Sequence, residues 1–312
     1  MISVGKTLIS YDIENNIKVC DRNSLPSFCI AFHLPSFVLN HPQIHDVKAR
    51  TLVGELSLLQ KGKITGIVHP STYVNKFVVG FSNGQLELWN FNSKKLLYTF
   101  KSQLAHFAKA RGRSNSYSDS DDEAERSSEE DPAVTCLEQS PACDVIGVGF
   151  SNGHILLLNL KLDQVLFSFV QKGGAVTSLS FRTDAGAEKS PFLASSSADG
   201  RIHIWNLGSN QTAGAANDTS SVQDRLRTKL DRKLQSSLEE AHMGPISKVE
   251  FIYGEPIMVS AGAEDNSLKV WIFDAPDGSA RLLRSREGHK GAPSRIRYVA
   301  KSSSYFALLL FC

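Results

Sequence analysis

FVVGFSNGQLELWN, running from Phe77 to Asn90, is the stretch on which the fold turns. Apolar residues alternate on either side of Asn83-Gly84, the pattern of two half-buried strands joined by a tight turn. Three later stretches repeat the layout: VIGVGFSNGHILLLN at Val145 to Asn159, FLASSSADGRIHIWN at Phe192 to Asn206, and IMVSAGAEDNSLKVWIF at Ile257 to Phe273. Their turns fall at Asn152-Gly153, Asp199-Gly200 and Asp265-Asn266. In every copy a large apolar residue lies six positions after the turn Asn or Asp, at Trp89, Leu158, Trp205 and Trp271. Asn-Gly and Asp-Gly tolerate positive φ, so the spacing predicts type I′ hairpins.

Working outward, each hairpin is preceded by a short strand opening with Val/Ile-Thr/Ser: Ile64 to Pro70, Val134 to Pro141, Val176 to Phe181 and Ile246 to Phe251. A fourth apolar run follows in two copies, LLYTF at Leu96 to Phe100 and VLFSF at Val165 to Phe169. Four antiparallel strands per repeat make the blade of a propeller. Setting aside polar insertions at 101–133 and 208–241 brings the copies near the spacing of about 40 residues expected of such blades. The expected fold is therefore all-β, a β-propeller with about four to five recognisable blades and two inserted polar loops. Residues 1–63 would hold one or more degenerate or partly deleted first blades, and 64–312 the clear repeats.

The copies resemble WD40 repeats. Trp205-Asn206 and Trp271-Ile272 stand where that family has Trp-Asp, and Gly288-His289 matches its Gly-His dipeptide. The resemblance implies a buried hydrogen-bonded set within a blade, which His242, Ser260, Asp265 and Trp271 match in the fourth copy. Leu158 stands in place of Trp, and Asn83 and Asn152 in place of Asp, so those blades are expected to rest on apolar packing and their turns.

Longer stretches carry a narrower resemblance: His69 to Phe100, VTSLSFRTD at Val176 to Asp184, VWIFDAPDGSARLLRSREGH at Val270 to His289, and VGKTLISYDI at Val4 to Ile13. These are similar to the U3 small nucleolar RNA-associated protein 21 family, also called WD repeat-containing protein 36. What the resemblance implies is a nucleolar scaffold of the small-subunit processome, working with other propeller proteins, the U3 particle and pre-ribosomal RNA. It also implies an N-terminal propeller in truncated form. Residues 25–63 are short for the blades expected there, and the second propeller and helical domain that the resemblance implies are expected to be missing.

Other function classes find little support. With 34 basic against 32 acidic residues the formal charge is +2, too small to pull the whole chain toward nucleic acid or an anionic surface. Five scattered cysteines, with no Cys-x-x-Cys, suggest neither a disulfide framework nor a zinc site and fit a reducing compartment. The N-terminus lacks the layout of a signal peptide, and no run approaches the ~20 apolar residues of a membrane span. Tyr305 to Cys312 (YFALLLFC) reads as a strand or as an abnormal chain end. Val4-Gly5-Lys6-Thr7 matches only the close of a phosphate-binding loop, without its first glycine. The nine histidines show no metal-ligand spacing, and His203, His242 and His289 suit core or turn positions. Ser195 to Ser197 lie in a strand without a nucleophile elbow, and Glu129-Glu130 sit where no fixed geometry is expected. No catalytic, cofactor-binding or metal-binding residue is expected, and the chain is expected not to be an enzyme.

Within the first insertion, Arg111 to Pro132 is rich in serine and acid and predicts disorder. Ser118, Ser120, Ser127 and Ser128 each have an acidic residue three positions later, the pattern of an acidophilic kinase such as casein kinase 2. A tolerated loop without a role is the alternative. In the second insertion, a Gly/Ala/Ser/Asn linker leads to Leu226, Leu230, Leu234 and Leu238, whose spacing predicts a short amphipathic helix. Its basic half, Arg225 to Lys233, would meet phosphates or an acidic protein, or simply be solvated. A generic WD40 adaptor for peptide partners in signalling or ubiquitin ligation stays open beside the processome reading.

Overall fold

The computed structural model describes residues 2–4, 7–11, 17–21, 44–46, 51–54, 62–114, 131–182, 192–208, 234–275, 278–289, 291–293, 295–300 and 306–311. Strands β1 (Ile2–Val4), β2 (Thr7–Tyr11) and β3 (Ile17–Asp21) form an antiparallel meander, and β4 (Ile44–Asp46) pairs with β5 (Thr51–Gly54). Then come β6 (Ile64–Val68), β7 (Lys76–Phe81), β8 (Leu86–Asn90) and β9 (Lys95–Thr99), a four-stranded sheet in chain order, followed by helix α1 (Ser102–Ser114). The same order recurs in β10 (Val134–Gln139), β11 (Val145–Phe150), β12 (His154–Asn159) and β13 (Gln164–Val170). It recurs again in β14 (Val176–Phe181), β15 (Phe192–Ser197), β16 (Ile202–Asn206) and β17 (Leu234–Leu238). The fourth sheet is β18 (Ile246–Phe251), β19 (Ile257–Gly262), β20 (Leu268–Ile272) and β21 (Arg281–Arg286), and a pair, β22 (Arg295–Ala300) with β23 (Phe306–Phe311), comes last. Among the described residues the fold is all-β, with four four-stranded antiparallel sheets of the WD40-propeller type, called blades one to four below.

Two compact units divide the chain, one of residues 1–134, 143–146 and 158–165, the other of 135–142, 147–157 and 166–312. In the first unit the second and third strands of blade one bury Phe77, Val78, Val79, Phe81 and Leu86, while the outer strand β9 is largely exposed. In the second unit Ala194, Ile202 and Ile204 of blade three pack with Ile246, Val249, Met258, Trp271 and Phe273 of blade four in one apolar cluster. Burying apolar surface against a neighbouring blade is the main stabilisation such a repeat has.

Two irregularities recur and explain parts of the sequence pattern. The first strand of blades one, three and four shifts register at Thr65, Thr177 and Ser247, the positions of the Val/Ile-Thr/Ser signature. A hydroxyl there satisfies what the bulge frees: Thr65 donates to the Gly80 carbonyl at 3.1 Å and Ser247 to that of Ala261 at 3.1 Å. The outer strand carries the other bulge, at Leu97, Gln235 and Leu283, each beside the buried tryptophan of its blade.

Three expectations are corrected. None of the four hairpins is type I′: at the turn pairs only Gly84, Gly153, Gly200 and Asn266 take positive φ, while Asn83, Asn152, Asp199 and Asp265 do not. Gly84 N–H donates to Phe81 O at 3.1 Å and Phe81 N–H to Gln85 O at 3.0 Å, which encloses a three-residue loop ending in a left-handed glycine. The Asn or Asp earns its place with its side chain, accepting the amide two residues on: Asn83 from Gln85, Asn152 from His154, Asp199 from Arg201 and Asp265 from Ser267, at 3.1–3.3 Å.

Second, the insertion at 101–133, expected to be a polar loop and disordered from Arg111 to Pro132, opens with α1, which runs on to Ser114. Gln103 and Phe107, one turn apart, are buried, and the helix start is capped as described below. Third, Leu234 and Leu238 belong to strand β17 and not to a helix. A spacing of four suits a two-residue period as well as a helical one, and the open hydrogen-bonding edge of β16 decides. Residues 115–130, with the four serines, and 209–233, with Leu226 and Leu230, lie outside the described residues.

Candidate functional site

Blade four assembles the most elaborate polar set among the described residues. Trp271, on β20, donates its indole N–H to Ser260 Oγ on β19 at 2.8 Å. Ser260 Oγ lies 2.6 Å from Nε2 of His242, whose Nδ1 is 2.9 Å from Asp265 Oδ2. Ser267 Oγ is 3.1 Å from Nδ1 as well. Donors and acceptors run one way if Nδ1 carries the proton: Trp271 to Ser260, Ser260 to His242 Nε2, and Nδ1–H to Asp265. Burial lowers the His242 pKa below 6.5 against the opposing pull of Asp265, which keeps the ring neutral as this relay requires. Burial pushes Asp265 up, but His242 and the amide and hydroxyl of Ser267 outweigh it and hold its carboxyl below 3.8.

Ser, His and Asp in sequence also describe a hydrolytic triad. Here Ser260 is wholly buried, accepts from Trp271 and donates to His242, so its oxygen has no face toward a substrate.

The same position is handled differently elsewhere. In blade three Trp205 donates to Ser195 Oγ at 2.8 Å, and Ser195 faces His203 as Ser260 faces Lys269. Asp199 there bonds the Ser197 hydroxyl and pairs with Arg201, whose Nε is 3.2 Å from Oδ2, so it joins no imidazole. In blade one Trp89 donates to Glu87 Oε2 at 2.9 Å, a buried carboxylate two residues back on its own strand. Blade two has Leu158, buried as are Leu156, Leu157 and Leu160, and its side chain has no polar group to satisfy. In the sequence Ser195 stands out only as one of three strand serines, and nothing there singles out Glu87 as a partner for Trp89. An isolated acid in the apolar run Leu86 to Trp89 was the available signal for Glu87.

The turn glycines sit against backbone. A Cβ on Gly200 would lie 2.1 Å from the His242 carbonyl oxygen, and His242 N–H donates to Gly200 O at 3.1 Å, so the turn of blade three fixes the residue that opens the blade-four relay. Inner strands of the second unit are cross-linked too. Val249 N–H donates to Ser178 Oγ at 3.3 Å and Phe251 N–H to Ser180 Oγ at 2.9 Å, while Lys248 Nζ reaches Glu138 Oε2 and the Leu179 carbonyl at 3.3 and 3.4 Å.

Other candidates stand apart from these sets. His289 is half-buried after β21 and follows Gly288, whose φ is 93°. Cys136 is half-buried, its thiol pushed up to about 12 by desolvation, and Cys143 is exposed. Among the described residues no group of three or more His, Cys, Asp or Glu could hold a metal ion, and no helix is long and apolar enough to cross a membrane.

Residues 1–274 match a family described as the WDR36/Utp21 first beta-propeller. The chain is 35% identical over 240 residues to WD repeat-containing protein 36 of Homo sapiens, covering 77% of this chain and 21% of that protein. It is 36% identical over 239 residues to the U3 small nucleolar RNA-associated protein 21 homolog of Schizosaccharomyces pombe, covering 77% and 20%. The chain thus spans about one fifth of the length of these relatives. Among solved structures, the WD40 repeats of RRP9 superpose with a TM-score of 0.49 at 18% identity, over 76% of this chain and 54% of that one.

Proposed function

The chain belongs to the family of the WDR36/Utp21 first beta-propeller, and from that membership we propose that it serves as a non-catalytic scaffold of the small-subunit processome. It supports pre-rRNA processing and small ribosomal subunit assembly through contacts with other propeller proteins, and it meets the U3 particle and pre-rRNA directly or through them. It works in the nucleolus. The single observation that carries this reading is the family match over residues 1–274. The name of the fission-yeast relative, which ties that protein to U3 small nucleolar RNA, points the same way.

A scaffolding role also suits the chemistry. The polar sets of blades one, three and four are spent on holding the blades' own tryptophans, and the Ser-His-Asp arrangement is closed to substrate. Regulation enters through Ser118, Ser120, Ser127 and Ser128, where an acidophilic kinase adds about −1.5 to −2 charge per site and favours a basic partner.

The test is to express the tagged full chain in cells, recover it and measure U3 RNA in the eluate while imaging its location. Enrichment of U3 RNA with nucleolar signal is expected. A diffuse cytosolic signal without U3 RNA would overturn the reading.

A further inference from the structure

The outer strand of blade four differs from the other three in its charge. β21 reads Arg281-Leu-Leu-Arg-Ser-Arg286 and every residue of it is exposed, whereas β9, β13 and β17 together carry a single basic residue, Lys95. By spacing alone, Arg281 would face away from Arg284 and Arg286, because three is an odd step along a strand. The bulge at Leu283 changes this. Arg281 pairs with Ile272, Arg284 with Val270 and Arg286 with Leu268, and these partners alternate along β20 on one face. All three guanidinium-bearing residues are therefore carried on one face of the sheet, spaced as successive same-face positions of a strand, about 7 Å apart. Arg281 is held by Asp274, with Nε to Oδ1 at 3.1 Å, while Arg284 and Arg286 form no ion pair with any described residue. Leu282 is set on the opposite face, paired with Trp271, and is 47% exposed.

Charged residues at a sheet edge commonly serve to keep other strands away. That purpose is met by single charges and does not call for three of one sign aligned on one face beside two exposed leucines. A row of cations at strand spacing on an edge strand matches an added strand with acids at alternate positions. The backbone edge supplies its hydrogen bonds and Leu282 meets its apolar side chains on the other face.

We propose that β21 of blade four is a docking edge for an extended acidic segment of a partner protein, one that alternates carboxylate and apolar residues and joins the sheet as a further strand. Single-stranded RNA fits less well, because nucleic-acid platforms stack bases on aromatic side chains and β21 presents leucines. The inference is independent of which assembly the chain serves.

The experiment measures fluorescence anisotropy of short labelled peptides with the full chain. The probes are a peptide alternating Glu and Val, one of the same composition with its Glu and Val in separate blocks, and one alternating Lys and Val, with a short single-stranded RNA beside them. The unaltered chain is expected to bind the alternating acidic peptide about tenfold or more tightly than the blocked one. The Arg284→Glu, Arg286→Glu double variant is expected to lose that preference and to take up the Lys/Val peptide instead, a gain that a misfolded chain would not show. Equal binding of the alternating and blocked peptides by the unaltered chain, which needs no variant, overturns the proposal. So does RNA that binds through these arginines while the acidic peptide does not compete.

Discussion

Blades one and four each bury a tryptophan six residues after the turn, and they satisfy its indole N–H in unlike ways. In blade four the acceptor is Ser260, which opens a relay through His242 to Asp265 and so ties β19, β20 and the segment before β18 together. In blade one it is Glu87, on the same strand as Trp89, and the bond ties that strand only to itself. Blade two, with Leu158, needs neither. The common requirement is a large buried side chain at that place. The polar sets follow from choosing tryptophan, since an orphaned buried donor costs about 1–3 kcal/mol.

The largest expected effect comes from Ser260→Ala, which strips a partner from both Trp271 and His242. Two orphaned groups at about 1–3 kcal/mol each place the loss at roughly 2–6 kcal/mol, read from urea unfolding. Ser195→Ala in blade three orphans only the Trp205 N–H and should cost about 1–3 kcal/mol. If the two variants lose equal stability, His242 gains nothing from Ser260 and the relay is no relay. Blade one sharpens the point: Glu87→Ala should match Ser195→Ala, at about 1–3 kcal/mol, because it too orphans one N–H. Glu87→Gln keeps an acceptor oxygen within reach and should cost less than Glu87→Ala in the same measurement.

These contrasts show which parts of the molecule could be read from residues. The four hairpins were legible because a left-handed residue, glycine in three of them and Asn266 in the fourth, and an Asx side chain are local requirements, satisfied within three or four residues. Their exact type was not, since Asn accepts either sign of φ and only the chain's hydrogen bonds separate the two cases. The relay partners in blade four were legible through the family resemblance, because each has a fixed place in a known repeat. Ser195 was not, since a serine among serines gives no hint of a tryptophan on the next strand, and Glu87 showed only as an acid in an apolar run, which marks the residue without naming its partner. Likewise β17 and α1 depend on what waits for them, the open edge of β16 in one case and Asp163 in the other.

Acid should weaken the relay in a defined order. His242 titrates near 6.5 in the unfolded chain and lower in the folded one, so the unfolded chain takes up the proton first. The stability this contributes is complete above pH 6.5 and is lost as pH falls through the folded value. Asp265, held below 3.8, adds a further loss only once pH drops beneath that value. His69 and His203 are lowered by burial as well and act in the same direction. Unfolding free energy measured against pH should therefore fall below pH 6.5 in the natural chain, and less steeply in His242→Gln. Identical slopes would mean that His242 is already charged in the folded blade, which the one-way relay does not allow.

The smallest effect separates the blades from what hangs on them. Asp163 adopts a φ of 48°, and its carboxylate accepts from the Tyr98 hydroxyl at 2.9 Å and from the amides of Lys101 and Ser102 at 3.1 and 3.3 Å. The first amides of α1 are thus capped from a distant turn and not by the residue before the helix. Burial pushes Asp163 up, yet the Ser102 hydroxyl, the Lys101 amide and Tyr98 hold it below 3.8, as expected of a carboxylate that serves as a cap. Asp163→Ala should release the helix start at about 0.5–2 kcal/mol, the usual range for a lost cap, and raise amide exchange across Gln103 to Phe107. Exchange in β7 and β8 should stay as it was, because their hydrogen bonds and apolar contacts do not pass through Asp163. If those strands loosen together with α1, the helix is a working part of blade one and not an attachment to it.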